Sequence, residues 1–283
     1  MVVVRARLLH EILPAAVADG APLLEIADVH LAFAGVKAID GVSLTVRRGK
    51  VFAVIGPNGA GKTSIFNCIS GVYHPQQGSI HFEGADILGL KPNRIADLGV
   101  ARTFQNIELF PQLTVLDNLM LGRHQHLHYG TPAAMLRIGK AAREEARNRE
   151  VVEGIIEFLD IQQHRKSYVA MLPYGIQKRV ELGRALAMAP KLLLLDEPAA
   201  GMNLEETEDM ARFITDIRRE LGIGIVLVDH DMHLVMDLAD TVLAIDFGRP
   251  IAAGTPREIQ SNQDVIRAYL GEEHAVADPG GSA

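Results

Sequence analysis

The sequence predicts an α/β fold: a mostly parallel sheet with helices on both faces. Three observations carry that expectation. Val51-Phe52-Ala53-Val54-Ile55 is a continuous apolar run of strand length, the pattern of a strand buried on both faces, and it runs directly into a glycine-rich turn. From about residue 190, strand-like runs (Leu192 to Leu195, Ile223 to Val228, Thr241 to Ile245) alternate with a helical pattern in Met210, Phe213, Ile214, Ile217 and Leu221. Between these regions, roughly residues 112–170, Leu, Ala, Arg and Glu dominate, and Val152, Ile155, Ile156 and Leu159 recur at helical spacing.

In chain order, the first element is an extension over 1–21. Arg5 and Arg7 precede an apolar stretch ending Ala16-Val17-Ala18, which imitates a signal peptide, but His10 and Glu11 interrupt it. A partly helical or disordered extension is expected. Residues 23–55 read as short strands of an antiparallel β region: Leu24-Glu25-Ile26 and Val42 to Val46 alternate, and Arg48-Gly49-Lys50 marks a turn. The helix after the glycine turn carries Cys68, which reads as a small buried hydrophobe. Within the helical middle, Arg143 to Glu150 reads as a solvated face, with Glu144/Arg147 and Glu145/Arg149 at i,i+3 and i,i+4. His124, His126 and His128 would share one face of a strand, but their context is helix or loop and lacks a neighbouring acid, so a metal site is not expected. The tail after Gly271 is Gly, Ala, Pro and acid, and flexibility is expected over 273–283.

Composition narrows the function classes. The chain has 283 residues, 48% of them apolar, and no linker-like stretch in the middle, which fits one large domain. It carries 28 basic and 35 acidic residues, a formal net charge of −7, so nucleic acid is not an expected partner. Cys68 is the single cysteine; an intrachain disulfide is impossible, in keeping with a reducing compartment. No apolar run reaches the ~18–20 residues that cross a bilayer, so any service to a membrane runs through another chain.

The chemistry begins at Gly56-Pro57-Asn58-Gly59-Ala60-Gly61-Lys62-Thr63, which fits G-x-x-x-x-G-K-[ST] between a strand and a helix. Glycines let the backbone curl until successive N–H groups point at phosphate oxygens, and the helix adds its positive N-terminal end. Lys62 is expected on the β- and γ-phosphates, Thr63 on Mg²⁺ and Ser64 on the α-phosphate. This loop alone says that a nucleoside triphosphate is bound. A second motif adds hydrolysis. Leu192 to Leu195 end in Asp196-Glu197, and acids at the C-terminal end of a sheet strand face the ligand crevice. Asp196 is expected to hold the Mg²⁺ shell and Glu197 to orient or deprotonate the attacking water.

Leu172-Pro173-Tyr174-Gly175-Ile176-Gln177-Lys178-Arg179 then resembles the signature of the ABC ATPases, usually L-S-G-G-Q-[Q/K]-[R/K]-R. Other elements of that family fall in order: Phe33 where an adenine-stacking aromatic stands, Gln105 in Arg102-Thr103-Phe104-Gln105 at the Q-loop, Ala200-Gly201-Met202-Asn203 at the D-loop, and His230 at the switch histidine. The resemblance covers roughly residues 22–272 and implies a P-loop NTPase core with an inserted helical subdomain, about 106–188. It implies that two such domains meet head to tail, each ATP lying between one phosphate loop and the other domain's signature (here Leu172, Pro173, Tyr174, Gly175, Ile176 and Gln177). His230 would support the γ-phosphate, and Gln105 would join Mg²⁺ or water to the membrane-subunit interface.

The segments "ARTFQNIELFPQLTVLDNLMLG", "LPYGIQKRVELGRALA", "LLLLDEPAAGMN", "DHDMHLVM" and "DVIRAYLGE" look like the larger ATPase of branched-chain amino-acid importers. That implies a peripheral subunit on the cytoplasmic face of the membrane, with a second ABC ATPase, two transmembrane permeases and a solute-binding protein as partners. Importers of urea, amides or other small solutes use similar ATPases, and soluble ABC proteins form the rival class, although those carry fused cassettes or coiled-coil insertions absent here. The signature departs from the family form at Pro173, Tyr174 and Ile176. Proline offers neither hydroxyl nor N–H, so the site this chain completes for a partner is expected to be the weaker, favouring a heterodimer.

Overall fold

The structure, a computed structural model, describes residues 22–124 and 140–276. The N-terminal extension, His126 and His128 and the last seven residues of the tail lie outside the described residues. Two sheets form the framework. The first is antiparallel, in the order β2-β1-β4-β5, from β1 (Pro22–Phe33), β2 (Val36–Arg47), β4 (Gln77–Phe82) and β5 (Ala85–Asp86). Alternation explains its orientation: Leu24, Ile26, Val29 and Leu31 of β1 point inward against Val42, Leu44 and Val46 of β2. β1 and β2 are 12 residues each, longer than the alternating cores alone suggested, because register shifts near Ile26 and Val29 let the hairpin bend and continue.

The second sheet has six strands in the order β10-β9-β3-β8-β7-β6. Its members are β3 (Val51–Ile55), β6 (Val100–Arg102), β7 (Leu192–Asp196), β8 (Gly224–Val228), β9 (Thr241–Asp246) and β10 (Arg249–Gly254). All neighbours run parallel except β10, which returns antiparallel along β9. β3, β7 and β8 are buried along their whole length, as their unbroken apolar runs require. The period of two then divides the core. Val51, Ala53 and Ile55 face one cluster together with Leu193, Leu195, Ile225 and Leu227; Phe52 and Val54 face the other with Leu192, Leu194, Val226 and Val228.

One face carries α1 (Lys62–Ile69) and α2 (Pro92–Leu98), beneath the antiparallel sheet. The other carries α3 (Val115–Gly122), α4 (Lys140–Phe158), α5 (Tyr174–Ala187), α6 (Leu204–Glu220) and α7 (Met232–Leu238). The chain closes with α8 (Pro256–Gln260) and α9 (Gln263–Val276). Helix α6 starts at a reciprocal capping box between Asn203 and Glu206 and ends in Arg218 and Arg219, which complement its dipole. Where α3, α4 and α5 meet, Gly183 makes close approach possible: a Cβ there would stand 3.0 Å from Leu159 and 3.2 Å from Leu119.

Two expectations change. Arg143 to Glu150 is not solvated throughout, because Asn148 is buried and its side-chain oxygen accepts from Arg123 Nε at 2.9 Å. Arg123 in turn donates to Ala187 O at 3.0 Å, so a polar link inside the apolar cluster joins α4 to the end of α5. Likewise, Glu272 to Val276, read as the start of the tail, continue α9; glutamate and alanine are good helix formers and extend the helix past Gly271.

Candidate functional site

The phosphate loop connects β3 to α1 and stands at the C-terminal edge of the parallel sheet. Two of its glycines are required by packing. A Cβ on Gly56 (φ +155°) would fall 2.1 Å from Ile245 O, and one on Gly61 (φ +104°) 2.3 Å from Ala38 O. The loop is therefore pressed between β9 and the first hairpin, and its shape is pinned by Ala60 N donating to Pro57 O and Gly248 N donating to Ala60 O. Lys62 is buried and donates to Gly56 O at 2.5 Å and Pro57 O at 2.8 Å, so its ammonium lies inside the curl of the loop. Thr63 and Ser64 follow in the first turn of α1, with Thr63 exposed. Cys68, deeper in the same helix, is buried and its thiol is pushed up to about 12 by burial, which leaves it a packing residue.

Asp196 ends β7 at 5% exposure, and burial raises its carboxyl above the usual carboxylate range while Arg102 opposes that rise. Arg102 Nη2 donates to Asp196 Oδ2 at 2.8 Å. Glu197 follows in a left-handed conformation (φ 49°), its N–H held by Val228 O at 2.8 Å. Three residues expected to act together do converge. Gln105 Nε2 donates to Glu197 Oε2 at 3.0 Å, and His230 Nδ1 stands 3.8 Å from the same oxygen. His230 is mostly exposed.

Phe33 ends β1 and is half-exposed, with its ring edge-on to Tyr73 at 4.9 Å between centroids, leaving a face for a flat ligand. The signature segment lies at the start of α5. Pro173 is its N-cap and supplies no side-chain cap; Gln177 Nε2 donates back to Leu172 O at 2.8 Å. Leu172 is buried and Ile176 packs on the core. Tyr174 leans on the D-loop: a Cβ on Gly201 would be 3.2 Å from its ring. Gly175 faces Glu206, whose carboxylate would lie 2.3 Å from an added Cβ.

Several site residues were not found by reading the sequence. Lys178 and Glu181 are both buried and ion-paired at 3.5 Å. Lys178 donates to Gln105 O at 3.0 Å, and Glu181 accepts from Phe104 N at 3.2 Å, so α5 clamps the backbone of the Q-loop. Asp229 is buried beside His230, one carboxylate oxygen lacks a hydrogen-bond partner, and burial raises it above the usual range. Its one sequence signal is an acid directly after the apolar strand β8. Among the described residues no group of three or more His, Cys, Asp or Glu could hold a metal ion unaided. Thr63, Asp196 and Gln105 instead offer a few hard oxygen donors, a set that suits Mg²⁺ arriving with phosphates and water.

Residues 39–200, more than half of the chain, match the ABC transporter family. The chain belongs to that family. As an ABC ATPase it also carries, over residues 249–275, a match to the branched-chain amino acid ATP-binding cassette transporter family. It is 41% identical over 251 residues, covering 89% of this chain and 98% of the other, to the high-affinity branched-chain amino acid transport ATP-binding protein BraF of Pseudomonas aeruginosa. It is 38% identical, with the same coverage, to the corresponding LivG protein of Escherichia coli. The lipopolysaccharide export system ATP-binding protein LptB of Haemophilus influenzae is 35% identical over 84% of this chain and 92% of its own length. Among solved structures, the ADP conformation of an ATP-binding cassette of an ABC transporter superposes with a TM-score of 0.78 at 28% identity, covering 89% of this chain and 100% of that one. A nucleotide-free cassette gives a TM-score of 0.77 at 29% identity, covering 88% and 99%.

Proposed function

We propose that this ABC ATPase powers the uptake of branched-chain amino acids by hydrolysing ATP at a site built on Lys62, Asp196 and Glu197. The observation that carries the hydrolytic part is the Glu197 carboxylate held between Gln105 and His230, one residue beyond the buried Asp196. The cargo rests on the match over residues 249–275, because the cassette alone is similar to exporters as well.

In this reading Lys62 exchanges Gly56 O and Pro57 O for β- and γ-phosphate oxygens, and the loop N–H groups bind the rest of the chain of phosphates. Phe33 stacks on adenine. Thr63, Asp196 and Gln105 would hold Mg²⁺, which when bound neutralises the charge that develops between the β- and γ-phosphates. Since Gln105 donates its Nε2 to Glu197, its carbonyl end is the one left to face a cation. Glu197 orients the water and takes its proton, a role worth ~10²–10⁴-fold. His230 closes on the γ-phosphate. Leu172 to Gln177 complete the second site of a heterodimer with another ABC ATPase.

No helix among the described residues is long and apolar enough to cross a membrane. Attachment to the cytoplasmic face would then run through two permease subunits, with a solute-binding protein delivering cargo. The test is reconstitution with two permeases, a second ATPase and a solute receptor, followed by uptake of labelled leucine and urea. ATP-dependent leucine uptake abolished by Lys62→Ala is expected. Urea uptake without leucine uptake would overturn the cargo, and uptake unaffected by Lys62→Ala would overturn the site.

A further inference from the structure

We propose that Arg102 is a positioning residue that sets the spacing of the three elements carrying the Mg²⁺ ligands. The inference rests on the metal site proposed above and goes beyond it, because Arg102 is not among the residues assigned there to nucleotide or metal. It is the last residue of the edge strand β6, with a side chain only 11% exposed. Its guanidinium reaches three elements at once. Nη1 donates to Asn67 Oδ1 at 2.6 Å, and Asn67 stands one helical turn after Thr63 on α1. Nη2 donates to Asp196 Oδ2 at 2.8 Å, at the end of β7. The guanidinium carbon lies over the ring of Phe104, the residue before Gln105, 5.2 Å from the centroid, and over the ring of Phe66 of α1 at 5.4 Å. Thr63, Asp196 and Gln105 thus each stand on an element that this one planar group contacts.

A fixed positive charge beside Asp196 opposes a divalent cation, so Arg102 can favour metal binding only through geometry. Geometry is also what the fork provides. Two N–H ends at a fixed separation bridge α1 to β7, a geometry that a single ammonium on a flexible stem does not hold. The remaining nitrogen, Nε, is buried without a hydrogen-bond partner, so the two Nη groups alone carry the bridge. Ligand oxygens drawn from three separate elements bind a demanding octahedral ion best when their spacing is set beforehand.

The test uses the full chain with ATP and Mn²⁺ as a paramagnetic probe. Arg102→Lys keeps the charge and removes the fork. Asn67→Ala cuts only the link to α1 and leaves the buried ion pair intact, so it folds even where the first variant does not. Two quantities are measured: the Kd of a fluorescent ATP analogue in EDTA, and Mn²⁺ affinity of the ATP-bound protein by electron paramagnetic resonance. Metal-free nucleotide affinity should stay within about twofold of wild type, a difference well under a tenfold step. Mn²⁺ affinity should fall about tenfold in Arg102→Lys, as for other residues that orient metal ligands, and by less in Asn67→Ala. Unchanged Mn²⁺ affinity in both folded variants overturns the proposal, as does an equal loss of metal-free nucleotide binding, which would mark a merely structural arginine. Asp196→Asn separates the two readings. If it leaves Mn²⁺ affinity unchanged, the metal assignment fails and Arg102's role with it; if it abolishes binding while the other variants do not alter it, only the role of Arg102 is overturned.

Discussion

Replacing Glu181 by glutamine tests how the Q-loop is held. Glu181 and Lys178 are 2% and 1% exposed and face one another across one turn of α5. Glutamine keeps an oxygen for Phe104 N–H but leaves the Lys178 ammonium buried with only the carbonyls of Phe104 and Gln105. Removing one partner of a buried pair typically costs about 3–5 kcal/mol. At about 2–4 °C per kcal/mol for a domain of this size, the melting temperature should drop by roughly 6–20 °C. Thermal denaturation by circular dichroism measures it. Lys178→Met combined with Glu181→Leu removes the uncompensated charge but strands Phe104 N–H and Gln105 O, so it should recover part of the loss and not all of it. A single mutant melting within about 2 °C of wild type, less than 1 kcal/mol on this scale, would refute the reasoning. So would a double mutant no better than the single.

Glu197→Gln should retain ATP binding and lose ~10²–10⁴-fold in turnover, read by a filter-binding assay beside phosphate release; loss of binding would show a different role. In the assembled transporter, Glu197→Gln should halt uptake more severely than the equivalent change in the partner ATPase, because Pro173 caps α5 without a donor; each missing hydrogen bond to a charged group is worth roughly 1.5–3 kcal/mol, about ten- to a hundredfold. Equal effects would defeat that asymmetry. Asp40 is held down to about 2 by Lys37 first, then Arg249 and His30, against an ordinary 3.8. A depressed carboxylate stabilises the fold above its unfolded value and loses that contribution as pH falls through the folded one. Asp40→Asn should therefore flatten the acid limb of a stability profile between pH 4 and 2, and an unchanged limb would count against the cluster.

What the sequence made legible follows from burial. β3, β7 and β8 are covered on both faces, so nearly every position had to be apolar and the runs stood out. β10 lies at a sheet edge, holds Pro250 and is only half-covered, so Arg249 to Gly254 shows no period; β5 and β6 are too short to show one. The same contrast runs through the site. The phosphate loop is contiguous and carries its geometry in its spacing, as does Asp196-Glu197 behind four leucines. Arg102 could not be found that way, because its partners Asn67 and Asp196 lie 35 and 94 residues away in the chain. Lys178 and Glu181 sit inside a recognisable signature helix, yet a charged pair at i,i+3 reads as solvent-facing until the Q-loop is laid over it.

The backbone of Glu197 has a consequence for how this protein would respond to selection. A side chain with a branch at Cβ or a long stem in the left-handed region costs about 1–2 kcal/mol that glycine avoids and asparagine partly avoids. At Glu197, φ is 49°. A library screened for heat resistance alone would therefore be enriched in glycine or asparagine at this position. Its hardiest members would be those that had given up the carboxylate proposed above to orient the water. If Glu197 positions the water as proposed, thermostabilised versions of this chain have to be chosen with turnover in the screen.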